Sequence, residues 1–349
     1  MNIYTDTPVC EWNISQLNLS NITTYNTTSD YLASESGYAC YHVPFPPNQN
    51  WLTRFHATYS HSKHNIVLCS ELHEHTVDQL LTLDLPNTSI FTCGTIDHTW
   101  SHAQIYKWMD WFITPAYFYR EVFPNFLDER LLPQENKPKM FDILLGALRS
   151  HRDFIYNYVS NSAIKDQVIM TYSQTIDQPL FDNDQFIIEP EVEALPNVNI
   201  THTIHYIKYF GYETSISRVI PITVYNQSYY SLVAETNFFN HFNFYTEKIA
   251  KPIMAGRLFI AIAGQHYLKN LRAMGFKTFD SVIDESYDTE SDNESRWRMA
   301  LEQVEYLCDQ DPQEVYKQIQ PIIDHNRNRL LEYNWQDELL NDLRKIFNS

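Results

Sequence analysis

A chain of 349 residues, 44% of them hydrophobic, can bury two cores of ordinary domain size, which argues against global disorder. The formal net charge of −18 works against any partner that needs a broadly basic face, such as bulk nucleic acid or an anionic membrane. With only 7 Gly and no GxGxxG or Walker A pattern, a standard dinucleotide or P-loop site is disfavoured as well.

In chain order, MNIYTDTPVCEW has no basic n-region and no apolar h-region, so it does not read as a signal peptide. Residues 1 to about 50 alternate short apolar and polar pieces and read as early strands and loops, broken by Pro44, Pro46 and Pro47. Trp51–Tyr59 predicts a short helix, His64–Ser70 (HNIVLCS) a buried strand, Thr76–Leu83 a helix and Ser89–Cys93 a second strand. Trp108–Thr114 reads as a third strand and Ala116–Val122 as a helix. This alternation is that of a parallel sheet with crossover helices. Cys10, Cys40, Cys69, Cys93 and Cys308 are scattered, with no CxxC or zinc spacing, and fit a reducing cytoplasm. No run approaches the length of a membrane span, so no membrane partner is expected.

Leu131–Pro138 (LLPQENKP) reads as a linker, giving an N-terminal α/β domain over 1–133 and a second over 139–334. In the second, Lys139–Leu148 is a strand, Ser150–Asn161 a helix and Asp166–Tyr172 a strand. Thr175–Thr201 is an acidic excursion, and Val219–Val224 reads as a strand despite Pro221. Ser231–Ala234 ends a buried strand. Thr246 then precedes Glu247, Lys248 and a helix stopped by Gly256; Arg257–Ala263 is a strand and Tyr267–Met274 a helix closed by Gly275. Ser295–Asp309 and Pro312–Asn334 are strong helices, followed by a last one within 335–349.

Open parallel sheets bind ligands beyond the carboxyl ends of their strands. Glu235, Thr246, Glu247 and Lys248 fall there, and a helix start with free N–H groups suits a phosphate. Glu235 could accept hydrogen bonds from ribose hydroxyls. Taken alone, Thr-Glu-Lys at a helix start is more often plain capping; the case for a ligand rests on its combination with the strand-end acid and the glycine-bounded strand next door. Arg149 and Arg152 (LRSHRDF) open a helix after the Lys139–Leu148 strand and could clamp a diphosphate, against the simpler alternative of an ion pair with Asp153. Glu71 and His73 (SELHEH) follow the His64–Ser70 strand. They are the candidate bases for deprotonating a hydroxyl, although acid–His clusters at loop starts are commonly just solvated. His98 and His102 share a helical face without a third ligand, and Asp182-Asn183-Asp184 spells DxD in an irregular segment, so no metal site is expected.

VAETNFFNHFNFYTEKIAKPIMAGRLFIAIAG, with its E…TEK…P…AG pattern, resembles the donor-binding segment of GT-B glycosyltransferases. The likeness is to the fucosyltransferase-like and exostosin-like groups and to phage-encoded members. GFKTFDSVIDESYD resembles the continuation in the phage type. The resemblance covers about the last two-fifths of the chain. It implies two Rossmann-like domains facing a cleft, with C-terminal helices of which the last, in 335–349, crosses back to the first domain. It implies inverting, metal-independent transfer of a sugar from a nucleotide-diphosphate donor to a hydroxyl acceptor, with no cofactor beyond the donor itself. The donor would be held by Arg149, Arg152, Glu235, Thr246, Glu247 and Lys248, with Glu71 or His73 as base. The location would be cytoplasmic, in the host if the chain is viral. The alternatives are a non-catalytic nucleotide- or glycan-binding or structural protein on the same fold, and a transferase acting on modified bases of phage DNA, which the net charge disfavours.

Overall fold

Parallel strands alternating with helices run through the computed structural model, which describes residues 1–43, 49–82, 85, 87–98, 103–146, 148–172, 192–194 and 206–348. The fold is mixed α/β and divides into two units. The first comprises Met1–Trp111, His241–Tyr245 and Asn334–Ser349. The second comprises Phe112–Asn240 and Thr246–Tyr333. The division thus falls near residue 111 rather than 133, and LLPQENKP lies inside the second unit.

The first unit opens with β1 (Asn2–Thr5) and α1 (Pro8–Ser15), then β2 (Thr23–Tyr25) and α2 (Thr28–Leu32). Then come β3 (Tyr38–His42), α3 (Gln49–Thr58), β4 (His64–Cys69), α4 (Glu74–Thr82), β5 (Thr88–Thr92), β6 (Gly94–Ile96) and β7 (Ala103–Lys107). Six of these strands form one sheet in the order β2-β1-β3-β4-β5-β7, and every pairing is parallel. The strands are short apolar runs because a parallel sheet is covered on both faces: all of Asn65–Cys69 and Thr88–Thr92 are buried.

The N-terminal reading as strands and loops is corrected at α1. Thr7 accepts a hydrogen bond from the Cys10 N–H as N-cap, and Pro8 takes the first helical position, where its missing N–H costs nothing.

α5 (Asp110–Glu121) replaces the strand expected over Trp108–Thr114. The aromatic run suggested a pleated surface, but Phe112, Ile113, Pro115, Ala116 and Tyr119 are buried at helical spacing, and the strand is β7, just before it. α6 (Phe126–Arg130), β8 (Lys139–Leu145), α7 (Ser150–Ser160), β9 (Val168–Tyr172) and a small antiparallel sheet of β10 (Val192–Ala194), β11 (Tyr206–Tyr209) and β12 (Tyr212–Ser215) follow. Val219–Val224 is not a strand: Pro221 precedes α8 (Ile222–Gln227), and the strand begins only at Ser228, as β13 (Ser228–Ala234). β14 (Phe242–Phe244) belongs to the first unit and pairs antiparallel with β6. α9 (Glu247–Met254), β15 (Phe259–Ile262), α10 (Tyr267–Ala273), α11 (Asn293–Cys308) and α12 (Pro312–Glu332) complete the second unit. α13 (Trp335–Asn348) is part of the first, where Leu339, Leu343 and Phe347 join a core that includes Ile3, Ile66, Leu68 and Phe91.

The main sheet of the second unit has the order β15-β13-β8-β9, again wholly parallel. Every residue of β13 is buried, as its central place requires. A buried ion pair anchors it. Arg257 meets Asp142 of β8, and also donates to the carbonyls of Tyr225, Ser228 and Tyr230. The Asp142 oxygen that meets Arg257 also accepts from the Ser228 and Ser231 hydroxyls, which offsets part of the cost of burying the pair.

Candidate functional site

In the second unit the chain moves outward from β8 in both directions: β9 lies on one side and β13, then β15, on the other. The strand order therefore reverses between β8 and β13, and such a reversal leaves a crevice beyond the carboxyl ends of the two strands. The turn from β8 into α7 and the first residue after β13 meet there. These hold Arg149, His151 and Arg152 from one side and Glu235 from the other.

The start of α7 is open. Its N-cap is Arg149, whose backbone is extended (φ −154°, ψ 148°) and whose side chain makes no capping bond. The Arg152 and Asp153 N–H groups close onto the Arg149 carbonyl, while those of Ser150 and His151 find no acceptor among the described residues. The Arg149 guanidinium is half-buried and also has no hydrogen-bond or ion-pair partner among the described residues, and burial lowers its pKa. Arg152 is only 4% exposed. Burial first, then the nearby Arg149 charge, pulls its pKa down to about 10, and its Nη2 lies 3.4 Å from the Glu235 carbonyl. His151 is fully buried, with Nε2 2.9 Å from the same carbonyl. A carbonyl only accepts, so Nε2 carries the proton and Nδ1 is a bare acceptor, buried without a partner among the described residues. Desolvation, with Arg152 next, drives the ring's pKa down to about 3, so it is neutral. Uncapped amides and two crowded guanidinium groups make a positive, dehydrated corner suited to an anion.

The start of α9 is closed. Glu235 is 0% exposed, and its carboxylate accepts from four donors: the Thr236 N–H (3.0 Å), the Thr246 N–H (3.2 Å), the Thr246 hydroxyl (2.7 Å) and the Tyr267 hydroxyl (2.9 Å). Burial raises its pKa; Lys248 and the Thr246 hydroxyl oppose that. Thr246, 2% exposed, caps α9 by accepting from the Lys248 N–H. Lys248 Nζ is 2.8 Å from Glu247 and 3.2 Å from the Thr236 hydroxyl. Burial would raise the Glu247 pKa, but Lys248 and Lys251 outweigh it and hold the carboxyl below its usual range. The expectation of a ribose-binding Glu235 is therefore corrected here, while of the α9 amides Thr246 caps that of Lys248. Glu235 pins the end of β13 to the starts of α9 and α10, and Lys248 reaches the anion corner only as a neighbouring charge that further depresses His151.

Beside the α7 start lies a pocket of about 680 Å³ whose walls are Phe154, Phe238 and Trp297 and whose rim carries Ser150, Asn157, Asp292 and Glu294. That size is usual for a small-molecule site. Trp297 stands edge-on to Phe238 (5.1 Å, 89°) and to Phe154 (5.5 Å), and Phe238 also meets the His151 ring at 4.9 Å. The Trp297 indole N–H is buried without an acceptor among the described residues. Sequence reading missed these aromatics because they sit on α7, the β13–β14 loop and α11, with no common spacing. The uncapped start of α7 was the available signal.

In the first unit, Glu71 and His73 follow β4 and form a pair, Oε2 to Nε2 3.0 Å, with side chains 17% and 14% exposed. The His73 ring packs against Phe244 of β14. His42, at the end of β3, lies close enough that Glu71 raises its pKa against a larger lowering by burial. Arg54 pairs with the buried Asp6 after β1.

Within GFKTFDSVIDESYD, two carboxylates serve the fold: Asp288 accepts from the Leu268 and Lys269 N–H groups at the start of α10, and Glu285 from Thr278, Phe279 and Arg272. His102 and the Asp182–Asp184 segment lie outside the described residues. No group of metal-ligating side chains is found among the described residues, and none of their helices is long and apolar enough to cross a membrane.

No protein-family model, no curated protein and no solved structure matches the chain.

Proposed function

We propose that the second unit binds a nucleotide-diphosphate sugar and that the chain is a glycosyltransferase of the GT-B type, with two Rossmann-like domains facing a cleft. The observation that carries this reading is the open start of α7. Uncapped amides, an unpartnered Arg149 and a buried Arg152 stand at a strand-order reversal beside an aromatic pocket. In the reaction the acceptor oxygen bonds to the anomeric carbon as the bond to the diphosphate breaks, inverting the centre. The departing diphosphate gathers negative charge, which the α7 amides and Arg149 offset without reorganising. The acceptor proton passes to Glu71, whose hydrogen bond to His73 orients it; His73 is the alternative base. No metal is required, because the helix start and the arginines neutralise the leaving group.

A second reading, a nucleotide-binding protein without turnover, is favoured by the closed α9 start, where Lys248 is held by Glu247. A glycan or other hydroxyl compound is the preferred acceptor; a modified DNA base is disfavoured by the charge of −18.

Calorimetric titration with UDP, GDP, ADP, CDP and dTDP, followed by assay of donor hydrolysis, tests both readings. At least one diphosphate should bind saturably. Arg149→Ala should weaken it about tenfold or more, the size of one charge-assisted hydrogen bond. Binding by none of the five sinks both readings, whereas binding with no hydrolysis of any matching sugar donor leaves only the second.

A further inference from the structure

We propose that the Phe154–Phe238–Trp297 pocket holds the nucleobase and selects bases carrying an exocyclic amino group over uracil and thymine; this rests on the nucleotide-sugar reading of the adjoining α7 corner. The walls are aromatic, with Trp297 at 89° to Phe238 and 62° to Phe154 and the Arg298 guanidinium over the Phe154 ring, a lining that suits one planar ring better than an extended chain. The rim supplies acceptors. Glu294 is exposed, and its carboxylate has no partner among the described residues. Asp292 is committed to Ser295, whose N–H and hydroxyl it meets as the cap of α11, and adds its charge to that rim. A pair of carboxylates repels phosphate, so the phosphates belong at Arg149 and the ring at the acidic end. Behind that wall the Trp297 N–H is buried and lacks a mate among the described residues.

Such a rim discriminates by repulsion as well as attraction. Adenine, cytosine and guanine each present an amino group that a carboxylate accepts from, and guanine adds its N1–H beside it. Uracil and thymine flank their one N–H with two carbonyl oxygens, which the same carboxylates oppose.

The test is calorimetric titration of the full chain with ADP, GDP, CDP, UDP and dTDP, and with inorganic pyrophosphate as a probe that has no ring. The expected result is a preference of about tenfold or more for the tightest amino-bearing diphosphate over UDP and dTDP. Glu294→Gln should shrink that preference to within about threefold while pyrophosphate affinity stays as in the native chain. Trp297→Ala should weaken nucleotides about 5- to 150-fold, the range seen for removing one stacking partner. Trp297→Phe keeps the fold and the stack and should lose less. UDP or dTDP binding as tightly as the others, or a preference unmoved by Glu294→Gln, overturns the base selection and leaves the anion corner standing. Nucleotides binding no tighter than pyrophosphate overturns the pocket assignment altogether. Absence of any nucleotide or pyrophosphate binding removes this inference together with the reading beneath it.

Discussion

Two helices begin at the carboxyl ends of neighbouring strands in the second unit, and they treat their first turns in opposite ways. At α9, every polar group that the sequence advertises is spent inside the protein: Thr246 caps, Glu235 collects four donors, and Lys248 pairs with Glu247. At α7, no side chain caps, and Arg149 stands without a partner among the described residues. The same residue types therefore build a joint in one place and leave an anion-ready corner in the other. What separates the two is where Glu235 sends its carboxylate: it meets Thr246 at α9, while α7 receives only its backbone carbonyl.

Four substitutions would break or sharpen that contrast. The largest effect is expected at Glu235→Ala, which strands the Thr236 and Thr246 N–H groups and two hydroxyls in a dry site; denaturant titration should show a loss of about 3–5 kcal/mol. A tight, cooperative variant within 1 kcal/mol of the native chain would mean that the α9 joint is not closed by this carboxylate.

Next comes acid sensitivity from His151. Its unfolded ring takes up a proton below about pH 6.5, but the buried ring resists until about pH 3, so between those values protons favour the unfolded chain. The contribution is whole above pH 6.5 and shrinks as the pH falls, by up to about 1.4 kcal/mol per pH unit. Between pH 6 and 4 the native chain should lose about 2 kcal/mol more than His151→Gln. Parallel pH profiles for the two would remove the buried neutral imidazole.

Thr246→Ala removes both an N-cap and a hydrogen bond to the Glu235 carboxylate, should cost about 1–2 kcal/mol, and should leave diphosphate binding unaltered. A change in affinity there would move the anion site back to α9. The smallest effect belongs to Ser150→Pro. Arg149 already has the extended backbone that precedes a proline, and the first helical position tolerates one, so stability should shift by a few tenths of a kcal/mol. The substitution deletes one open N–H and should weaken diphosphate binding several-fold; unchanged affinity would show that this amide does not face the ligand.

The alternation of strands and helices was legible because parallel strands are buried on both faces and print as short apolar runs: HNIVLCS, SLVA and RLFIAIA all fall in sheets. α1 was missed although Thr7-Pro8 is a helix-start signature, because the polar residues around it broke the apolar period. Trp108–Thr114 misled because aromatic residues serve strands and buried helix faces alike. The cations Arg149, Arg152 and Lys248 were visible and do gather around His151. The fate of Glu235 was not visible, since its acceptor duties are set by Thr246 and Tyr267, brought in by folding. The pocket was hidden for the same reason: Phe154, Phe238 and Trp297 come from three elements that no sequence window spans.

The core of the first unit is closed by Leu339, Leu343 and Phe347, which the ribosome adds only after the whole of residues 112–333. While the second unit is being translated, the six-stranded sheet must wait with part of its apolar surface uncovered. Nascent chains in that state are prone to aggregate or to recruit chaperones. The first unit to emerge is therefore the last to mature, and its solubility during synthesis depends on how quickly translation delivers α13.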